Sequence, residues 1–374
     1  MPDESTGDLR DLLRPELEAM PGYEPIEPPD QLARRLGIPV ERIVKLDGNE
    51  NPYGPSPKAV EALAAYRDYH IYPDPLQHEA REALSRFLGL PYDQLVFGTG
   101  SDEIMDLVLR AFLAPGDAVI NCPPTFGMYP FLTRVAGARL IDVPRRDDDF
   151  SLDLAEIWAM ASEAKVIFIA SPNNPTGNVV SETEIDALLA TGLVVVVDEA
   201  YVEFADTESL ARRVQEGSNL IVLRTFSKWA GLAGLRVGYG VFPPSVAEII
   251  LKIKQPYNLN VAAQAAVLAS LDDVATLREH VKLLMAERTE MIRALAAIPY
   301  LTPVPSQANF ILCRVGGIDA GVLQSELRSR GIMVRRPDAP ILRDCLRISV
   351  GLPEHRTALI EALEEIGGNR GTSR

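Results

Sequence analysis

The stretch Thr225-Phe226-Ser227-Lys228-Trp229-Ala230-Gly231-Leu232-Ala233-Gly234-Leu235-Arg236 decides how the rest of the chain is read. It follows the aliphatic run Leu220–Leu223, which has the composition of a buried strand. Lys228 therefore falls where a strand ends and a small-residue loop begins, which is where open α/β sheets hold their ligands. A lysine amine can form a Schiff base with a carbonyl. The hydroxyls of Thr225 and Ser227, nearby backbone N–H groups and Arg236 can hold a phosphate. Pyridoxal phosphate carries both an aldehyde and a phosphate. A lysine after a strand is by itself usually a solvated surface residue, so the reading depends on what lies upstream.

Upstream, short apolar runs alternate with helical periodicity. The runs are Leu95–Phe97, Ala118–Asn121, Ala138–Val143, Val166–Ala170, Leu193–Val197, Leu220–Leu223 and Val237–Val241. Several are apolar throughout, as suits strands buried on both faces of a mostly parallel sheet. Asp102–Phe112 and Glu182–Ala190 read as helical crossovers between them. Beyond Pro243 the pattern turns helical, with Val246–Ile253 and then one longer run from Val261 to Ala297. The last third reads as a separate α+β unit. It has strands near Asn309–Cys313 and Arg347–Val350 and helices at Ala320–Arg330 and His355–Ile366. At the other end, residues 7–20 read as one short amphipathic helix with Leu9, Leu12, Leu13 and Leu17 on a face, and Gln31–Leu36 as another. The proline-rich segment Pro21–Pro29 between them reads as extended. The expected division is an N-terminal arm (1–45) shared with the small domain, a large domain (46–260) and a C-terminal small domain (261–374).

Composition narrows the function classes. The formal charge of −15, from 37 basic and 52 acidic residues, opposes general nucleic-acid binding, which needs a basic face. Anionic substrates would need locally placed arginines. Cys122, Cys313 and Cys345 show no metal-binding spacing, and His70, His78, His280 and His355 are scattered, so no metal site is expected. The N-terminus lacks an apolar signal core, and no apolar run reaches the ~18 residues of a membrane span. A cytoplasmic enzyme with no membrane partner is the expectation.

Three further strand ends carry chemistry. Gly98-Thr99-Gly100-Ser101-Asp102-Glu103 opens a helix, where glycines admit a close ligand and free N–H groups attract an anion; Ser101 or Asp102 could equally be a helix cap. Ser171-Pro172-Asn173-Asn174-Pro175 is a turn by composition, or a rigid platform on which Asn174 donates to a phenolate. Asp198-Glu199-Ala200-Tyr201 ends a strand of four valines. A carboxylate there is costly without a cationic partner. It is either a capping residue or the partner of a protonated pyridine nitrogen, an ion pair that keeps the ring an electron sink.

Taken together, in this order, these segments resemble the fold-type I pyridoxal-phosphate-dependent aminotransferases. Four more motifs are similar to the histidinol-phosphate aminotransferase branch: Leu46-Asp47-Gly48-Asn49-Glu50-Asn51-Pro52-Tyr53, Tyr72-Pro73-Asp74, Pro123-Pro124-Thr125-Phe126-Gly127-Met128-Tyr129 and Leu346-Arg347-Ile348-Ser349-Val350-Gly351. The resemblance implies an α/β fold: a large domain with a mostly parallel seven-stranded sheet between helices, plus a smaller α+β domain. It implies that Lys228 forms the Schiff base, Asp198 meets the ring nitrogen, and Asn174 and Tyr201 contact the ring oxygen. Thr225, Ser227, Arg236 and the backbone at Gly100, Ser101 and Asp102 would hold the phosphate. Phe126 would stack on the ring; the branch often has tyrosine there, and a flat aromatic face is retained.

Further roles follow from the same resemblance. Tyr72 would reach the phosphate of a neighbouring subunit, which implies a homodimer with shared sites. Arg347 would bind a substrate carboxylate, with Asn49 beside it. Arg335, in preference to Arg336, would bind a substrate phosphate, with Tyr23 closing over it. The implied reaction is amino transfer between L-histidinol phosphate and 2-oxoglutarate, in histidine biosynthesis. Aromatic amino-acid aminotransferases and threonine-phosphate decarboxylases use the same scaffold. A regulator built on this scaffold would need a DNA-binding module, and the acidic residues before Leu46 offer no basic recognition helix.

Overall fold

The computed structural model describes residues 8–18, 20, 22 and 27–371. A short strand, β1 (Val44–Leu46), precedes the main sheet. That sheet contains β2 (Leu95–Thr99), β3 (Ala118–Asn121), β4 (Arg139–Asp142), β5 (Val166–Ala170), β6 (Val194–Asp198), β7 (Leu220–Thr225) and β8 (Val237–Val241). Its order is β2-β8-β7-β6-β5-β3-β4. Only β8 runs against its neighbours; the pairs from β7 through β4 are parallel. Alternate residues of one strand feed two cores. Ile167 and Ile169 face one side, while Val166 and Phe168 face the other. Helix Glu182–Ala190 covers the first face through Ile185 and Leu188. Helices Gly100–Phe112 and Pro244–Ile253 cover the second. Continuous apolar runs are what a sheet covered on both sides requires.

Three runs match their strands residue for residue: β3, β5 and β8. Two strands run longer than their apolar cores. β2 continues through Gly98 and Thr99, and β7 through Arg224 and Thr225, because the antiparallel β8 pairs with both to their ends (Thr99 with Val237, Thr225 with Gly238). This extension carries the phosphate-loop residues to the sheet edge.

The C-terminal part has an antiparallel sheet of β9 (Leu301–Pro303), β10 (Phe310–Val315) and β12 (Cys345–Ser349), in the order β12-β10-β9. Between β10 and β12 comes β11 (Ile332–Val334), which pairs in parallel with β1. Helices Ala320–Ser329 and Pro353–Gly371 flank these strands.

Two expectations need correction. The run from Val261 to Ala297 is two helices, Val261–Leu271 and Val274–Ala296, parted at Asp272 and Asp273. The N-terminal residues do not form one helix: a 3-10 turn at Leu9–Leu12 is followed by a single turn at Pro15–Glu18. Pro15 cannot donate the bond that would continue the first turn into the second. Leu9, Leu12, Leu13 and Leu17 are all exposed in this chain. Most of Pro21–Pro29 lies outside the described residues. Among the described residues no helix is long and apolar enough to cross a membrane, and no group of metal-ligating side chains occurs.

Candidate active site

The carboxyl ends of β5, β6 and β7 and the turn after β2 open on one cavity of about 280 Å³. Its walls include Ser101, Asp102, Phe126, Asn174, Asp198, Tyr201, Thr225, Ser227, Lys228, Arg236, Arg347 and Asn49. Fold topology thus assembles twelve of the expected residues from distant parts of the sequence, Asn49 and Arg347 among them.

Lys228 is half-buried and donates from Nζ to the carbonyl of Gly48 at 3.1 Å. Burial, reinforced by the positive charges of Arg347 and Arg236, lowers its pKa from 10.5 to about 8. The amine is therefore far closer to its neutral, nucleophilic form than a surface lysine.

Asp198 lies at the end of β6 and is buried. Tyr129 Oη donates to its Oδ2 at 2.9 Å, and the Ala200 N–H donates to its Oδ1 at 3.1 Å. Neither partner is a cation, and no salt bridge reaches Asp198 among the described residues. Burial accordingly raises its pKa from 3.8 to about 7, against the lowering effect of Tyr129. A buried carboxylate lining a cavity without a counter-charge fits a ligand that brings a positive nitrogen.

Tyr129 is a contact that the sequence analysis missed. It is fully buried, stacks on Phe168 at 5.1 Å and meets Phe126 edge-on at 5.6 Å. The available signal was a tyrosine placed on the apolar face of helix Met128–Val135, since a buried phenol needs a hydrogen-bond partner.

Tyr201 is held from two sides. Asn49 Nδ2 donates to its hydroxyl at 3.1 Å, and Phe310 packs edge-on against its ring at 5.1 Å. Burial raises its pKa, so the phenol keeps its proton. Asn49 adopts φ 52°, a left-handed conformation that asparagine tolerates better than most residues. Its N–H donates to Ser349 Oγ at 2.9 Å, and its carbonyl accepts from Asn309 at 3.0 Å. Arg347 donates to Asn174 Oδ1 at 2.7 Å and to the carbonyl of Asp47. That leaves the Asn174 amide nitrogen, which has no hydrogen-bond partner among the described residues, as a donor toward the cavity.

The other end of the cavity is built for an anion. Thr225 Oγ1 and Ser227 Oγ lie 2.9 Å apart, with Thr225 Oγ1 also accepting from the Ser227 N–H. Arg236 donates to Asp102 Oδ2 at 3.0 Å. Gly100, at φ +75°, sits against Arg236, where a Cβ would lie 2.6 Å from the guanidinium. Gly238 lets β8 approach the same turn, since a Cβ there would lie 2.2 Å from the Ser101 nitrogen. Hydroxyls, a helix start and a guanidinium together suit a phosphate. With the amine and the uncompensated carboxylate, they fit pyridoxal phosphate.

Two expected residues lie elsewhere. Arg335 lines a larger adjoining cavity of about 910 Å³ with Arg328, Arg336 and Arg343. Its backbone exchanges hydrogen bonds with that of Arg347, at 3.0 and 2.7 Å, so the two cavities share a wall. Tyr72 is 77% exposed, is not among the walls of its own chain's cavity, and stacks on Tyr257. Tyr23 lies outside the described residues.

Comparison with known proteins agrees with this geometry. The family model described as aminotransferase class I and II matches residues 41–363. A histidinol-phosphate aminotransferase of Roseiflexus castenholzii is 48% identical, over 98% of this chain and 100% of the relative. The chloroplastic histidinol-phosphate aminotransferase of Nicotiana plumbaginifolia is 47% identical, over 96% of this chain and 87% of the relative. Among solved structures, the histidinol-phosphate aminotransferase of Sinorhizobium meliloti in complex with pyridoxal-5'-phosphate superposes with a TM-score of 0.84 at 30% identity, covering 95% of this chain and 97% of that one. A strand-end amine, a carboxylate awaiting a cation and an anion cup, in a chain matched over nearly its whole length, place this protein in the class I and II aminotransferase family.

Proposed function

We propose that the protein transfers the amino group of L-histidinol phosphate to 2-oxoglutarate, giving imidazole acetol phosphate and glutamate, with pyridoxal phosphate as cofactor. The carrying observation is the convergence of the Lys228 amine, the uncompensated Asp198 carboxylate and the Arg236 anion cup on one cavity. Near-full-length identity of 45–48% to histidinol-phosphate aminotransferases supports the choice of substrate.

The cofactor supplies an electron sink for the carbanion formed at the substrate's α-carbon. The chain's residues do the rest. Lys228 Nζ, its pKa lowered to about 8 by burial, is placed to accept the α-proton as general base. Asp198 would balance a positive ring nitrogen, the neutral Tyr201 hydroxyl and the Asn174 amide would donate to the ring oxygen, and Phe126 would offer its flat face to the ring. Thr225, Ser227, Arg236 and the backbone at Gly100, Ser101 and Asp102 would hold the phosphate, with the Asp102 carboxylate orienting Arg236. Arg347 offers a bidentate fork to the carboxylate of the oxo acid, with Asn49 ordering the wall beside it. The larger cavity, with Arg335, suits the phosphate of the amino donor, and Tyr23 would close over it.

Exposed Tyr72 fits a homodimer in which it serves the partner's phosphate. The pairing of β1 with β11 supports a large unit, 46–260, and a small unit, 261–374, completed by residues 1–45. The reading places the enzyme in the cytoplasm. Its test is a donor panel on the reconstituted enzyme. Histidinol phosphate should give the highest kcat/KM, ahead of phenylalanine, and threonine phosphate should lose no carbon dioxide. A preference for phenylalanine would move the assignment to an aromatic aminotransferase. Lys228→Ala should abolish turnover and the lysine-linked absorbance of the cofactor.

A further inference from the structure

Asn258 joins two segments from different parts of the chain, the turn that forms the phosphate cup and the loop that carries Tyr72. Its Nδ2 donates to the Phe97 carbonyl at 3.1 Å and to Glu103 Oε2 at 2.9 Å, and its own carbonyl accepts from the Thr99 hydroxyl. All three partners belong to the end of β2 and the first turn after it, the segment that forms the phosphate cup. Its Oδ1 accepts from Gln77 Nε2 at 3.2 Å and from Lys254 Nζ at 3.0 Å. Gln77 ends the loop that carries Tyr72. The carbonyl of Pro75, in that loop, accepts from the same two donors, at 2.9 and 2.8 Å. The preceding residue, Tyr257, stacks on Tyr72 with ring centroids 4.6 Å apart and planes 22° from parallel.

Each group in this joint is used. Asn258 spends both donors and both acceptor positions, and the buried Lys254 ammonium is satisfied by three carbonyl oxygens. Such a network does not slide: moving one loop leaves a buried donor or acceptor unpaired. The cup and the Tyr72 loop of one protomer therefore move as one piece.

We propose that Asn258 and Tyr257 are positioning residues that couple a protomer's own phosphate cup to the Tyr72 it extends into the partner's site. The inference rests on the dimer reading above. Its consequence is that loosening the joint in one subunit weakens cofactor retention in the other.

Hybrid dimers with two different affinity tags test this. One subunit carries Lys228→Ala together with Asn258→Ala, and the other is wild type. Only the wild-type subunit can show lysine-linked cofactor absorbance, and its phosphate would be met by Tyr72 from the altered subunit. Cofactor release into an excess of apo-acceptor should be about tenfold faster than from the Lys228→Ala/wild-type hybrid, the scale of losing one or two hydrogen bonds. Tyr257→Leu in place of Asn258→Ala removes only an exposed stack, leaves no buried polar group unpaired, and should accelerate release about threefold. A purely local, structural role would leave the wild-type subunit's release unchanged. Equal release rates from intact hybrid dimers overturn the coupling and leave the dimer reading standing; a chain that sediments as a monomer overturns both.

Discussion

Replacing Asp198 by asparagine should stabilise the empty protein and cripple the loaded one. Burial without a counter-charge raises the folded-state pKa of Asp198 from 3.8 to about 7. Between those values the native protein keeps a proton that the unfolded chain has released. The unfolded state then binds fewer protons, so stability falls as pH rises through the window. A pKa difference of about 3, at about 1.36 kcal/mol each, makes the whole loss about 4 kcal/mol above pH 7. Asparagine cannot ionise and escapes it. The variant keeps an acceptor for Tyr129 but forfeits one hydrogen bond, from Ala200, worth about 1 kcal/mol. The net gain at pH 8 is about 3 kcal/mol.

Urea unfolding of cofactor-free wild type and Asp198→Asn at pH 5.5 and pH 8 measures this. The comparison between the two proteins cancels every other titrating group. From pH 5.5 to pH 7 the stability gap should widen in favour of the variant by about 2 kcal/mol, from the 1.5 pH units still inside the window. Saturating pyridoxal phosphate should reverse the order, because its ring nitrogen supplies the missing cation and ligand binding stabilises only the state that takes it. Cofactor affinity of the variant should fall by about 10²-fold or more, the scale of losing one member of a buried charge pair. An empty variant no more stable than wild type at pH 8, with a gap that ignores pH, would refute the reasoning. It would mean that the carboxylate is already compensated by the protein alone.

The rate at which apo-protein captures pyridoxal phosphate should rise about tenfold per pH unit up to the Lys228 pKa near 8 and then level, since only the neutral amine attacks; stopped-flow absorbance showing a midpoint near 10 would contradict the burial effect. Gly100→Ala should weaken cofactor binding about tenfold or more in equilibrium titrations, because a Cβ at φ +75° costs about 1–2 kcal/mol and displaces the Arg236 guanidinium. Arg347→Ala should raise KM for 2-oxoglutarate by about 10²-fold, the scale of a bidentate carboxylate contact. KM for histidinol phosphate, which has no carboxylate, should change far less. Equal effects on both half-reactions would remove Arg347 from carboxylate recognition.

The sheet was legible because its strands are covered on both faces, so hydrophobicity alone marks them. Val166–Ala170 and Val237–Val241 needed no other information. Polar strand ends were not legible. Arg224, Thr225 and Thr99 belong to strands only because the antiparallel β8 pairs with them, and pairing is a long-range fact that local composition does not encode. The site divides in the same way. Residues at strand ends with unusual chemistry, such as Asp198 and Lys228, were visible one at a time. Residues that matter through a partner were not: Tyr129 reads as an apolar helix residue until Asp198 stands 2.9 Å away. Asn258 reads as a loop polar residue until the loops on either side of it are seen to share its amide. Leu9–Leu17 misled for a related reason, because four leucines suggested one helix where Pro15 forbids it.

The charges of the site explain one another better than they explain themselves singly. The chain carries a formal charge of −15, which repels anionic ligands at long range. The cavity offsets that field locally by gathering Lys228, Arg236 and Arg347 on its walls. These arginines have two effects from one arrangement. They offer the anchors that a phosphate and a carboxylate need, and their charge helps lower the pKa of the Lys228 amine. An anion entering the cup reduces that repulsion and so raises the affinity of Lys228 for a proton, which is the change a base requires once its substrate is in place. Asp198 acts in the opposite sense: left without a cation it tends to protonate, and a positive ring nitrogen restores its charge. The site is thus electrostatically incomplete at Asp198, and a single ligand with a phosphate for the Arg236 cup and a basic ring nitrogen for Asp198 completes it.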